Sequence, residues 1–432
     1  MSGLAAGYGT EAGTSGMSAR RAITAAGIGN VLEYYDFGIY GFLAGVIARK
    51  FFPGTDEVAA LLATFAAFGV GFLARPLGGI LLGRLGDVRG RKSALVTTIL
   101  LMAVGTVGIG LIPDHSSIGV LAPVLLVLCR ILQGLSAGGE WGNATSFIVE
   151  WSPEGRRGYF GSYSQASVVG GVLMSSAVAA LLNSLFSSTD IDAWAWRLPF
   201  LLGALLLPVG LWLRRGIEET PRFREEQAGQ TSGLADLGTP FGLMAKAFGF
   251  TVLWTVSYYV MLTYLPTFTQ KYAGLSATAA LWSNTAGLLA LLLAIPAMGA
   301  LSDRIGRKPM LIFCCLAFVV LAYPGFRLML SGLAVWGVAL VQIGFNLVIS
   351  AFSGPGPAAL AELFPTRSRT TLMSVGYSLS VAIFGGFAPF IATWLIQATG
   401  TPIAPTYYLI AAGLVSAATI ATFRETAFER LR

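Results

Sequence analysis

Long apolar segments are the feature that most constrains this chain, because each is about as long as a bilayer is thick. A helix needs about 20 apolar residues to cross the hydrocarbon core. Membrane strands would show about 10 residues of alternating polarity, and no segment alternates in that way. The sequence therefore predicts an all-α membrane protein with twelve transmembrane helices. We number them as spans 1 to 12: 22–48, 57–83, 93–112, 118–149, 159–184, 195–214, 243–270, 275–301, 309–328, 331–353, 369–397 and 403–423.

The composition agrees with a chain that lies mostly in lipid. Only 11% of the residues are charged and the mean hydropathy is +0.71, whereas a soluble domain carries about 25% charged residues. The 54 glycines suit the close helix packing found in membranes. The net charge of +7 has a topological explanation, so it does not indicate a nucleic-acid partner.

Lysine and arginine fix the orientation of the spans. If the N-terminus is inside, the outer loops carry only Arg49, Lys50, Lys271 and Arg327. Nearly all other basic residues then fall on the inner face. Cytoplasmic loops of membrane proteins are enriched in Lys and Arg in this way. Both termini are therefore predicted to be cytoplasmic, in a multi-pass protein of the plasma membrane.

The chain repeats its charged loops after about half its length. The motif GRLGDVRGRK (83–92) follows span 2, and GALSDRIGRK (299–308) follows span 8. A second pattern, Glu-x-x-Pro, stands at 150–153 and again at 362–365. The repeat predicts two pseudo-symmetric six-helix halves with a substrate site at their interface. The predicted divisions are an N-terminal tail, the first half, a cytoplasmic linker, the second half and a C-terminal tail: 1–21, 22–214, 215–242, 243–423 and 424–432.

The residues needed for common enzyme and metal chemistry are scarce. The chain has one histidine, His115, in a short polar loop, and three cysteines in apolar runs, Cys129, Cys314 and Cys315. This set has neither metal-ligand spacing nor the pattern of a disulfide framework. We therefore expect no metal, no cofactor and no enzyme active site.

Several motifs resemble those of known transporters. The repeated loops resemble the signature of the major facilitator superfamily, the second copy fully and the first with Val88 in place of arginine. More specific stretches are similar to the metabolite:H⁺ symporter family: GNVLEYYDFGIYGF, FLARPLGG, RILQGLSAGGE, WRLPF, EETPRF and ELFPTRSR. The stretches SYYVMLTYLPTF (257–268) and PTYYLIAAG (405–413), with RETA (424–427), most resemble the proline/betaine branch.

The resemblance implies the major facilitator fold, alternating access and symport of a small solute with protons. It also implies a bacterial inner membrane and a carrier that works as a monomer. The expected solute bears a carboxylate and is a proline- or betaine-like zwitterion. The alternative is an α-ketoglutarate-, citrate- or shikimate-type anion. A non-transporting membrane sensor would need a sizeable soluble output domain, and the longest polar stretch is the loop near 215–242.

Two carboxylates lie in the otherwise apolar span 1. An acid at the bilayer centre costs about 2.5–3.5 kcal/mol on insertion scales, so Glu33 and Asp36 must face protein or water. They recur with Asn30 and Tyr40 at helical spacing, which places the four on one face. This face fits a proton-coupling site or a fixed polar cluster that packs helices. The ability of a desolvated acid to bind and release a proton favours the first.

The predicted cationic partner of these acids is Arg130 in span 4. Sugar/H⁺ symporters of the superfamily pair an acid of the first helix with an arginine of the fourth, and Asp36 and Arg130 resemble that pair. We expect protonated Asp36 to release Arg130 to a substrate carboxylate and deprotonated Asp36 to recapture it. Arg75 and Glu140, in spans 2 and 4, are predicted to neutralise one another or to serve at an inner gate.

Charged residues at the inner ends of the spans are predicted to form a cytoplasmic gate. We expect Arg91 to pair with Glu150, and Arg307 with Glu362, when the inside is closed. Exposed ion pairs contribute only about 0–1 kcal/mol each, which suits contacts that break in every cycle. Charges that only set topology would explain the basic residues but not the repeated acids. The predicted gate residues are Asp87, Arg91, Glu150, Asp303, Arg307 and Glu362.

Polar and aromatic residues near the centres of the spans are the predicted substrate contacts. Trp254 and Tyr258 share a helix face, and with Tyr259 they form an aromatic wall suited to a quaternary ammonium group. Arg130 suits any carboxylate, whereas a second arginine at the substrate, such as Arg75, would favour di- or tricarboxylates. The predicted set is Asn30, Tyr34, Arg130, Gln133, Gln165, Trp254, Tyr258, Tyr259, Asn284, Asn346 and Tyr377.

Overall fold

Helices account for every regular element in the described part of the chain. The computed structural model describes residues 19–54, 56–89, 91–138, 140–150, 152–204, 208, 241–364, 369–429 and 431. Within these limits helices follow all twelve predicted spans, span 6 only through residues 198–204. The predicted N-terminal tail up to residue 18 and the linker up to residue 240 lie outside the described residues. The all-α prediction is confirmed.

The first half consists of spans 1 to 6 and two short helices in its outer loops. Spans 1, 2 and 4 are each made of two helices, and span 6 follows a 3₁₀ turn. The helices in chain order are Ala19–Phe42 and Ala44–Phe51 (span 1), Glu57–Leu73 and Arg75–Arg89 (span 2), Arg91–Leu111 (span 3), His115–Ile118, Leu121–Ser136 and Glu140–Glu150 (span 4), Arg157–Leu185 (span 5), Ser188–Ala193 and the turn Ala195–Arg197.

The second half repeats this arrangement with two π-helical segments inside spans 7 and 11. Its elements are Phe241–Tyr258, the π-helix Tyr259–Tyr264 and Leu265–Tyr272 (span 7), Ala277–Ile305 (span 8), Arg307–Met329 (span 9), Val335–Ser353 and Gly356–Glu362 (span 10), Arg369–Ser380, the π-helix Val381–Gly385 and Ala388–Thr399 (span 11), and Pro405–Ala421 (span 12).

Most spans are long enough to cross a bilayer as single helices. Seven helices in the described residues meet the length and apolarity needed, and the two helices of span 1, which meet at 65°, make an eighth. Spans 3, 4 and 12 contain shorter apolar helices, Val96–Leu111, Leu121–Ser136 and Pro405–Ala421. Because a helix in lipid satisfies its own backbone groups, this architecture is one that lipid permits.

The π-helical segments have a visible cause in the sequence. A proline lacks the N–H that would bond the carbonyl four residues earlier. Pro266 follows the first segment and releases the carbonyl of Leu262, which instead accepts a hydrogen bond from the Asn284 side chain at 3.1 Å. Pro389 follows the second segment in the same way, and the Tyr408 hydroxyl donates to the nearby carbonyl of Phe384 at 2.9 Å. Both breaks lie where spans 7 and 11 face the first half.

Spans 2 and 11 interlock across the interface between the halves. A Cβ atom on Gly69 would lie 2.6 Å from the Phe387 ring, and one on Gly386 would lie 2.6 Å from the Phe72 side chain. Each phenylalanine therefore occupies space that only glycine leaves open on the opposite span. This reciprocal contact holds the two halves together near mid-membrane.

Candidate functional site

A small aromatic cavity lies at the interface of the two halves. Tyr34 of span 1 and Gln165 of span 5 line one side, and Trp254, Tyr258 and Tyr259 of span 7 line the other. The lining is completed by Val168, Thr255 and Tyr377. The cavity measures about 10 Å³, space for about one water molecule. A metabolite therefore fits only when the halves move apart around it.

Three polar atoms of the lining residues have no hydrogen-bond partner within the described part of the protein. They are Oε1 of Gln165, Oγ1 of Thr255 and the Tyr258 hydroxyl, and all three are buried. Buried polar groups are normally bonded, and leaving one unbonded costs about 1–3 kcal/mol. The cavity thus presents an amide oxygen and two hydroxyls to whatever enters it.

Aromatic side chains form the cytoplasmic floor of the cavity. The Trp141 ring of span 4 stacks on Tyr377 of span 11, with centroids 3.9 Å apart and planes 14° apart. The Trp141 and Trp254 rings also pack edge to face, with their centroids 5.9 Å apart. The Trp254 indole N–H donates to the Ser353 hydroxyl at 3.1 Å. The floor therefore joins spans 4, 7, 10 and 11.

A second aromatic layer lies on the outer side of the cavity. Tyr259 meets the ring of Phe72 at 5.1 Å and that of Phe68 at 6.1 Å, both edge to face. Phe72 also contacts Gly386 through the interlock described above. The cavity is therefore enclosed by aromatic rings on both membrane sides.

Arg75 and Glu33 form a buried ion pair next to the cavity. Nη2 of Arg75 lies 3.1 Å from Oε1 of Glu33, and both side chains are almost fully buried. The guanidinium lies 4.4 Å from the Phe72 ring centroid, 4.5 Å from that of Phe37 and 5.9 Å from that of Tyr34. Removing one partner of such a pair leaves an uncompensated charge, so the pair holds together in this conformation.

The contact predicted between Arg75 and Glu140 stays a prediction. The structure shows a contact of Arg75 with Glu33 of span 1. The Phe37 and Phe72 rings pack against the guanidinium at this place. The side chain of Glu140 lies outside the described residues.

Asp36 faces the interior of the first half rather than the cavity. The Thr106 hydroxyl of span 3 donates to its Oδ2. A Cβ atom on Gly203 of span 6 would lie 3.6 Å from its Oδ1. Asp36 follows Glu33 by three positions, which turns it about 60° around the helix. The two acids therefore have different neighbours although they share one broad face.

A chain of buried hydrogen bonds, rather than a direct ion pair, connects Asp36 to Arg130. Nη1 of Arg130 donates to Oε1 of Gln133 at 2.7 Å. Nε2 of Gln133 donates to the Thr106 hydroxyl oxygen at 2.9 Å, and Thr106 donates to Asp36. The predicted direct contact is therefore replaced by a relay, because Thr106 and Gln133 occupy the space between the charges.

The Phe37 ring contacts both buried arginines. The Arg130 guanidinium lies 4.8 Å from its centroid, and the Arg75 guanidinium lies 4.5 Å from it. Arg130 also contacts the rings of Tyr40 and Phe68 at 4.5 and 5.0 Å. None of these three rings lines the cavity. Arg130 is therefore one layer of side chains behind the cavity, and Arg75 is the nearer cation.

The predicted substrate contacts divide into three groups. The first lines the cavity: Tyr34, Gln165, Trp254, Tyr258, Tyr259 and Tyr377. Arg130 and Gln133 belong to the relay. The remaining three are bonded elsewhere: Asn30 donates to Ser167 at 3.0 Å, Asn284 to Leu262 at 3.1 Å and Asn346 to Gln342 of its own helix at 2.9 Å. Their amides support helix packing in this conformation.

A charged cluster lies at the cytoplasmic ends of spans 5, 8, 9 and 10. Glu362 of span 10 lies 3.1 Å from Arg157 of span 5 and 3.5 Å from Arg307 of span 9. Arg307 also lies 2.8 Å from Asp303 at the end of span 8. The contact predicted between Arg307 and Glu362 is therefore present, and Arg157 joins it from the first half. We call Arg157, Asp303, Arg307 and Glu362 the inner cluster.

Asp303 also binds the first half directly. Its carboxylate accepts hydrogen bonds from the backbone N–H groups of Gly158 and Tyr159 at 2.8 and 2.9 Å. These are among the first N–H groups of span 5, which lack partners in their own helix. A carboxylate is favourable at a helix N-terminus because of the helix dipole. The repeated motif at 299–308 of the second half therefore contacts the first half through Asp303.

The first half has a counterpart of the inner cluster in the repeated loop and Glu150, and only part of it lies within the described residues. The side chains of Asp87 and Arg91 lie outside the described residues. Glu150 ends the last helix of span 4 with an exposed side chain. The predicted contact between Arg91 and Glu150 therefore stays a prediction.

A larger cavity of about 630 Å³ lies at the outer ends of spans 1, 5, 7 and 8. Its charged lining residues are balanced, with Arg49 and Lys271 opposite in sign to Glu57 and Asp192. Arg49 and Asp192 form an exposed ion pair at 2.6 Å. This outer vestibule contrasts with the closed cytoplasmic side.

Comparison with known proteins identifies the family. Residues 22–237 match the family described as "Sugar (and other) transporter", and residues 271–431 match "Major Facilitator Superfamily". The proline/betaine transporter of Escherichia coli (strain K12) is 35% identical over 429 residues, covering 96% of this chain and 85% of that protein. The chain belongs to the major facilitator superfamily.

Two further relatives and one solved structure extend the comparison. The glycine betaine/proline/ectoine/pipecolic acid transporter OusA of Dickeya dadantii is 37% identical over 96% of this chain and 85% of its own length. The citrate-proton symporter of Klebsiella pneumoniae is 36% identical over 88% of this chain and 86% of its own. The structure of the proton:xylose symporter XylE superposes with a TM-score of 0.78 at 18% identity, covering 96% of this chain and 97% of XylE.

Membership of the superfamily confirms the predictions made for the whole molecule. The chain is a multi-pass membrane transporter with the twelve-helix major facilitator fold, and it is not an enzyme. The resemblance of its motifs to the proline/betaine branch is borne out by relatives with those names. The roles of individual residues are not settled by family membership and are proposed below.

Sequence reasoning missed three residues that the structure places at the site. Trp141 belongs to the cavity floor, Thr106 to the relay and Arg157 to the inner cluster. Trp141 directly follows Glu140 in a quoted motif, so an aromatic residue in a polar stretch of span 4 was a usable signal. A lone threonine in an apolar span gives no such signal.

Proposed function

We propose that this protein is a proton-coupled symporter of a small zwitterion that carries a carboxylate and a substituted ammonium group, of the proline or betaine type. The observation that carries the proposal is the aromatic cavity next to the buried pair of Arg75 and Glu33. The names of the Escherichia coli and Dickeya relatives support the same solute class.

Aromatic rings supply the site for the cationic end of the solute. Tyr34, Trp254, Tyr258, Tyr259 and Tyr377 surround the cavity. A cation over an aromatic face gains about 0.5–2 kcal/mol, more when water is excluded, and quaternary ammonium groups are held in such cages. Methylated ammonium groups lack the N–H donors that a carboxylate would need, so an aromatic cage recognises them better than an acid does.

Arg75 is the proposed ligand for the solute carboxylate. It is the buried cation nearest to a ring that lines the cavity, 5.9 Å from the Tyr34 centroid. An arginine binds a carboxylate through two parallel hydrogen bonds. Glu33 already occupies one side of Arg75, so the solute must compete with it, and a proton on Glu33 would favour the solute.

Asp36 is the proposed main proton site, with Glu33 as a second acid nearer to the solute. Asp36 is buried in the first half and has a hydroxyl rather than a cation in direct contact. Burial disfavours the charged form of an acid, so an acid in such surroundings is the one whose protonation is most favoured. The hydrogen-bond relay through Gln133 and Thr106 links the charge of Asp36 to Arg130.

Alternating access is the proposed cycle. The inner cluster closes the cytoplasmic side, and the vestibule of about 630 Å³ leads in from the opposite side. The solute and a proton enter from outside, the halves rock around the cavity, and the inner cluster separates. We propose that the protein works as a monomer in the inner membrane of a bacterium, as the resemblance to this family of carriers implies.

Uptake into proteoliposomes with an imposed pH gradient tests this function. The panel is glycine betaine, proline, α-ketoglutarate, citrate and shikimate, each radiolabelled. We expect glycine betaine or proline to accumulate when the outside is acidic, and the protonophore-treated sample to reach only equilibrium. Accumulation that is the same with and without the gradient would remove proton coupling from the proposal.

A second candidate solute is an organic di- or tricarboxylate. Two buried arginines favour it, since Nε of Arg75 and both Nε and Nη2 of Arg130 have no hydrogen-bond partner within the described residues. The citrate-proton symporter of Klebsiella pneumoniae supports this class. Citrate uptake that glycine betaine does not compete with would establish it over the zwitterion.

A further inference from the structure

The Thr106 hydroxyl is a buried group with two alternative acceptors. It donates to Oδ2 of Asp36 or, at 3.0 Å, to the carbonyl oxygen of Met102 one turn earlier in span 3. A hydroxyl has a single proton to donate. It therefore has two orientations, and the charge on Asp36 decides between them.

We propose that Thr106 and Gln133 are positioning residues that transmit the protonation of Asp36 to Arg130, and through Phe37 to Arg75 at the solute site. This inference rests on the proposed function, since it assigns the coupling step of that symport. Neither residue touches the solute; each acts through the next group in the relay.

The relay has one direction when Asp36 is charged. Arg130 donates to Gln133, Gln133 donates to Thr106, and Thr106 donates to the Asp36 carboxylate. Every donor along this path points from the cation toward the anion. Hydrogen bonds that end on charged groups are shorter and stronger, and a continuous chain polarises each of its members. Arg130 is thereby held on its side of Phe37.

A proton that binds Asp36 reverses the last link. The new O–H on Asp36 donates to the Thr106 oxygen, and the Thr106 proton turns to the Met102 carbonyl. No other bond forms or breaks, and the proton stays on Asp36. The chain then ends on a neutral acid, so Arg130 loses the charge that held it at the far end.

Phe37 connects this change to the solute site. Its ring contacts both the Arg130 and the Arg75 guanidinium groups, which lie 4.8 and 4.5 Å from the ring centroid. Protein interiors are packed so closely that a shift of one group moves its neighbour. A displacement of Arg130 therefore displaces Arg75, for which Glu33 and the solute carboxylate compete.

The groups around Asp36 leave Arg130 as the cation that responds. Span 1 contributes Tyr35 and, one turn earlier, Glu33, which is paired with Arg75. Span 4 contributes Arg130 through Gln133. Residues 96–111 of span 3 and 198–204 of span 6 contain no charged side chain. The part of the pH dependence that passes through Thr106 is therefore assigned to Asp36, whereas Glu33 acts on Arg75 directly.

Replacing Thr106 with valine tests the relay, because valine keeps the shape and removes the hydroxyl. The assay uses proteoliposomes with labelled glycine betaine and proline as probes. Counterflow without a pH gradient measures exchange, and accumulation with a gradient measures coupling at several values of pH. We expect T106V to keep counterflow, to lose about tenfold or more of its accumulation and to lose its pH dependence. T106S restores both because it restores the hydroxyl.

Two further variants make the result decisive. T251V is the matched control, since Thr251 is a fully buried threonine whose hydroxyl donates to the Ala247 carbonyl of its own helix; it should accumulate like the wild type. Q133L breaks the relay one link away and should behave like T106V. If T106V loses counterflow as well, Q133L shows whether that loss comes from a structural role of Thr106 or from the relay.

Each outcome has a separate meaning. Accumulation by T106V at the wild-type level and with the wild-type pH profile overturns the relay. Loss of counterflow in both T106V and Q133L also overturns it, because both residues would then be structural. A wild type that shows no counterflow with either probe contradicts the proposed function itself, and the relay with it.

Discussion

The two acids of span 1 differ in their partners, and this difference assigns their tasks. Glu33 faces Arg75, a cation at 3.1 Å, whereas Asp36 accepts from the hydroxyl of Thr106. An acid paired with a cation is held in its charged form, while an acid with a neutral neighbour in a dry site can take up a proton. Asp36 is therefore the better proton switch.

Replacing Asp36 with asparagine should separate exchange from accumulation. The amide keeps the size and a hydrogen-bond acceptor for Thr106 but cannot exchange a proton. We expect D36N to retain counterflow of the transported solute and to lose accumulation driven by a pH gradient. The control is D114N in an outer loop, where the hydroxyls of Ser116 and Ser117 hold the pKa of Asp114 below its usual range, so that it stays charged throughout the assay. A D36N variant that still concentrates solute would refute the assignment.

Replacing Trp254 should weaken binding of a quaternary ammonium solute. Trp254 lines the cavity and presents the largest aromatic face there. Loss of a desolvated cation–π contact of about 2 kcal/mol corresponds to roughly 30-fold in affinity. We expect W254L to raise the half-saturation constant for glycine betaine by that order, and W254F to raise it much less. Trp394, half exposed on span 11, provides the control variant W394L. Equal affinities in W254L and wild type would exclude the aromatic cage.

Sequence reasoning found the residues of the cavity wall but not their neighbours. Trp254 and Tyr258 were predictable because both lie on one face of an apolar helix. The relay was not predictable, because it depends on how spans 3 and 4 rotate against span 1. Thr106 contacts Asp36, and Gln133 contacts Thr106, across large separations in the chain, and no local pattern encodes those contacts.

Spans 7 and 11 owe their irregular helices to prolines, and side chains of spans 8 and 12 bond the released carbonyl groups. Pro266 and Pro389 each follow a π-helical segment. Such segments release carbonyl groups that neighbouring side chains must satisfy in a membrane. Asn284 satisfies Leu262, and Tyr408 satisfies Phe384. These segments carry Tyr259 and contact the aromatic layer, so their irregular shape positions the cavity wall.

Replacing Asn284 with valine should destabilise span 7. The carbonyl of Leu262 would lose its donor, at a cost of about 1–3 kcal/mol. We expect N284V to lower the Tm of the purified protein in detergent. The double variant P266A/N284V should recover part of the loss, because an alanine N–H at 266 can bond the Leu262 carbonyl.

The double variant makes this prediction specific to the proline. The half-buried Asn183 donates to Ala179 of its own helix, so N183V serves as the control for loss of an amide that bonds no carbonyl released by a proline. A double variant as unstable as N284V alone would show that the Leu262 carbonyl is not the group at issue.

Span boundaries were predictable and helix breaks only partly so. The apolar lengths placed all twelve spans, because lipid thickness fixes the minimum length of a helix. The two-helix construction of spans 1, 2 and 4 was not visible, since no proline marks the bend at Leu43. Such bends follow from packing against another span, which a single sequence does not specify.

On the cytoplasmic side of the molecule, contacts among the described residues cross between the halves. Arg157 and the start of span 5 belong to the first half, while Glu362 and Asp303 belong to the second. The interlock of Phe72 and Phe387 with the opposite glycines joins the halves nearer to mid-membrane. Transport requires each set of contacts to open in turn.

Replacing Glu362 with glutamine should open the cytoplasmic side. Glu362 balances two buried arginines, and losing one partner of a buried charge cluster is costly. We expect a cysteine at Thr255, in a background without native cysteines, to react at least about tenfold faster with an impermeant thiol reagent in inside-out vesicles. E154Q, in an exposed loop, is the control and should leave the rate unchanged. An unchanged rate in E362Q would show that the inner cluster is not a gate.

Proton movement driven by the solute tests the central claim most directly. Proteoliposomes carry a trapped pH dye, and glycine betaine or proline is added outside with no pre-existing pH gradient and with potassium and valinomycin clamping the membrane potential. Symport predicts that the lumen acidifies when the transported solute is added to the wild type, and that D36N shows no acidification. Entry of labelled solute without any acidification in the wild type would contradict proton-coupled symport.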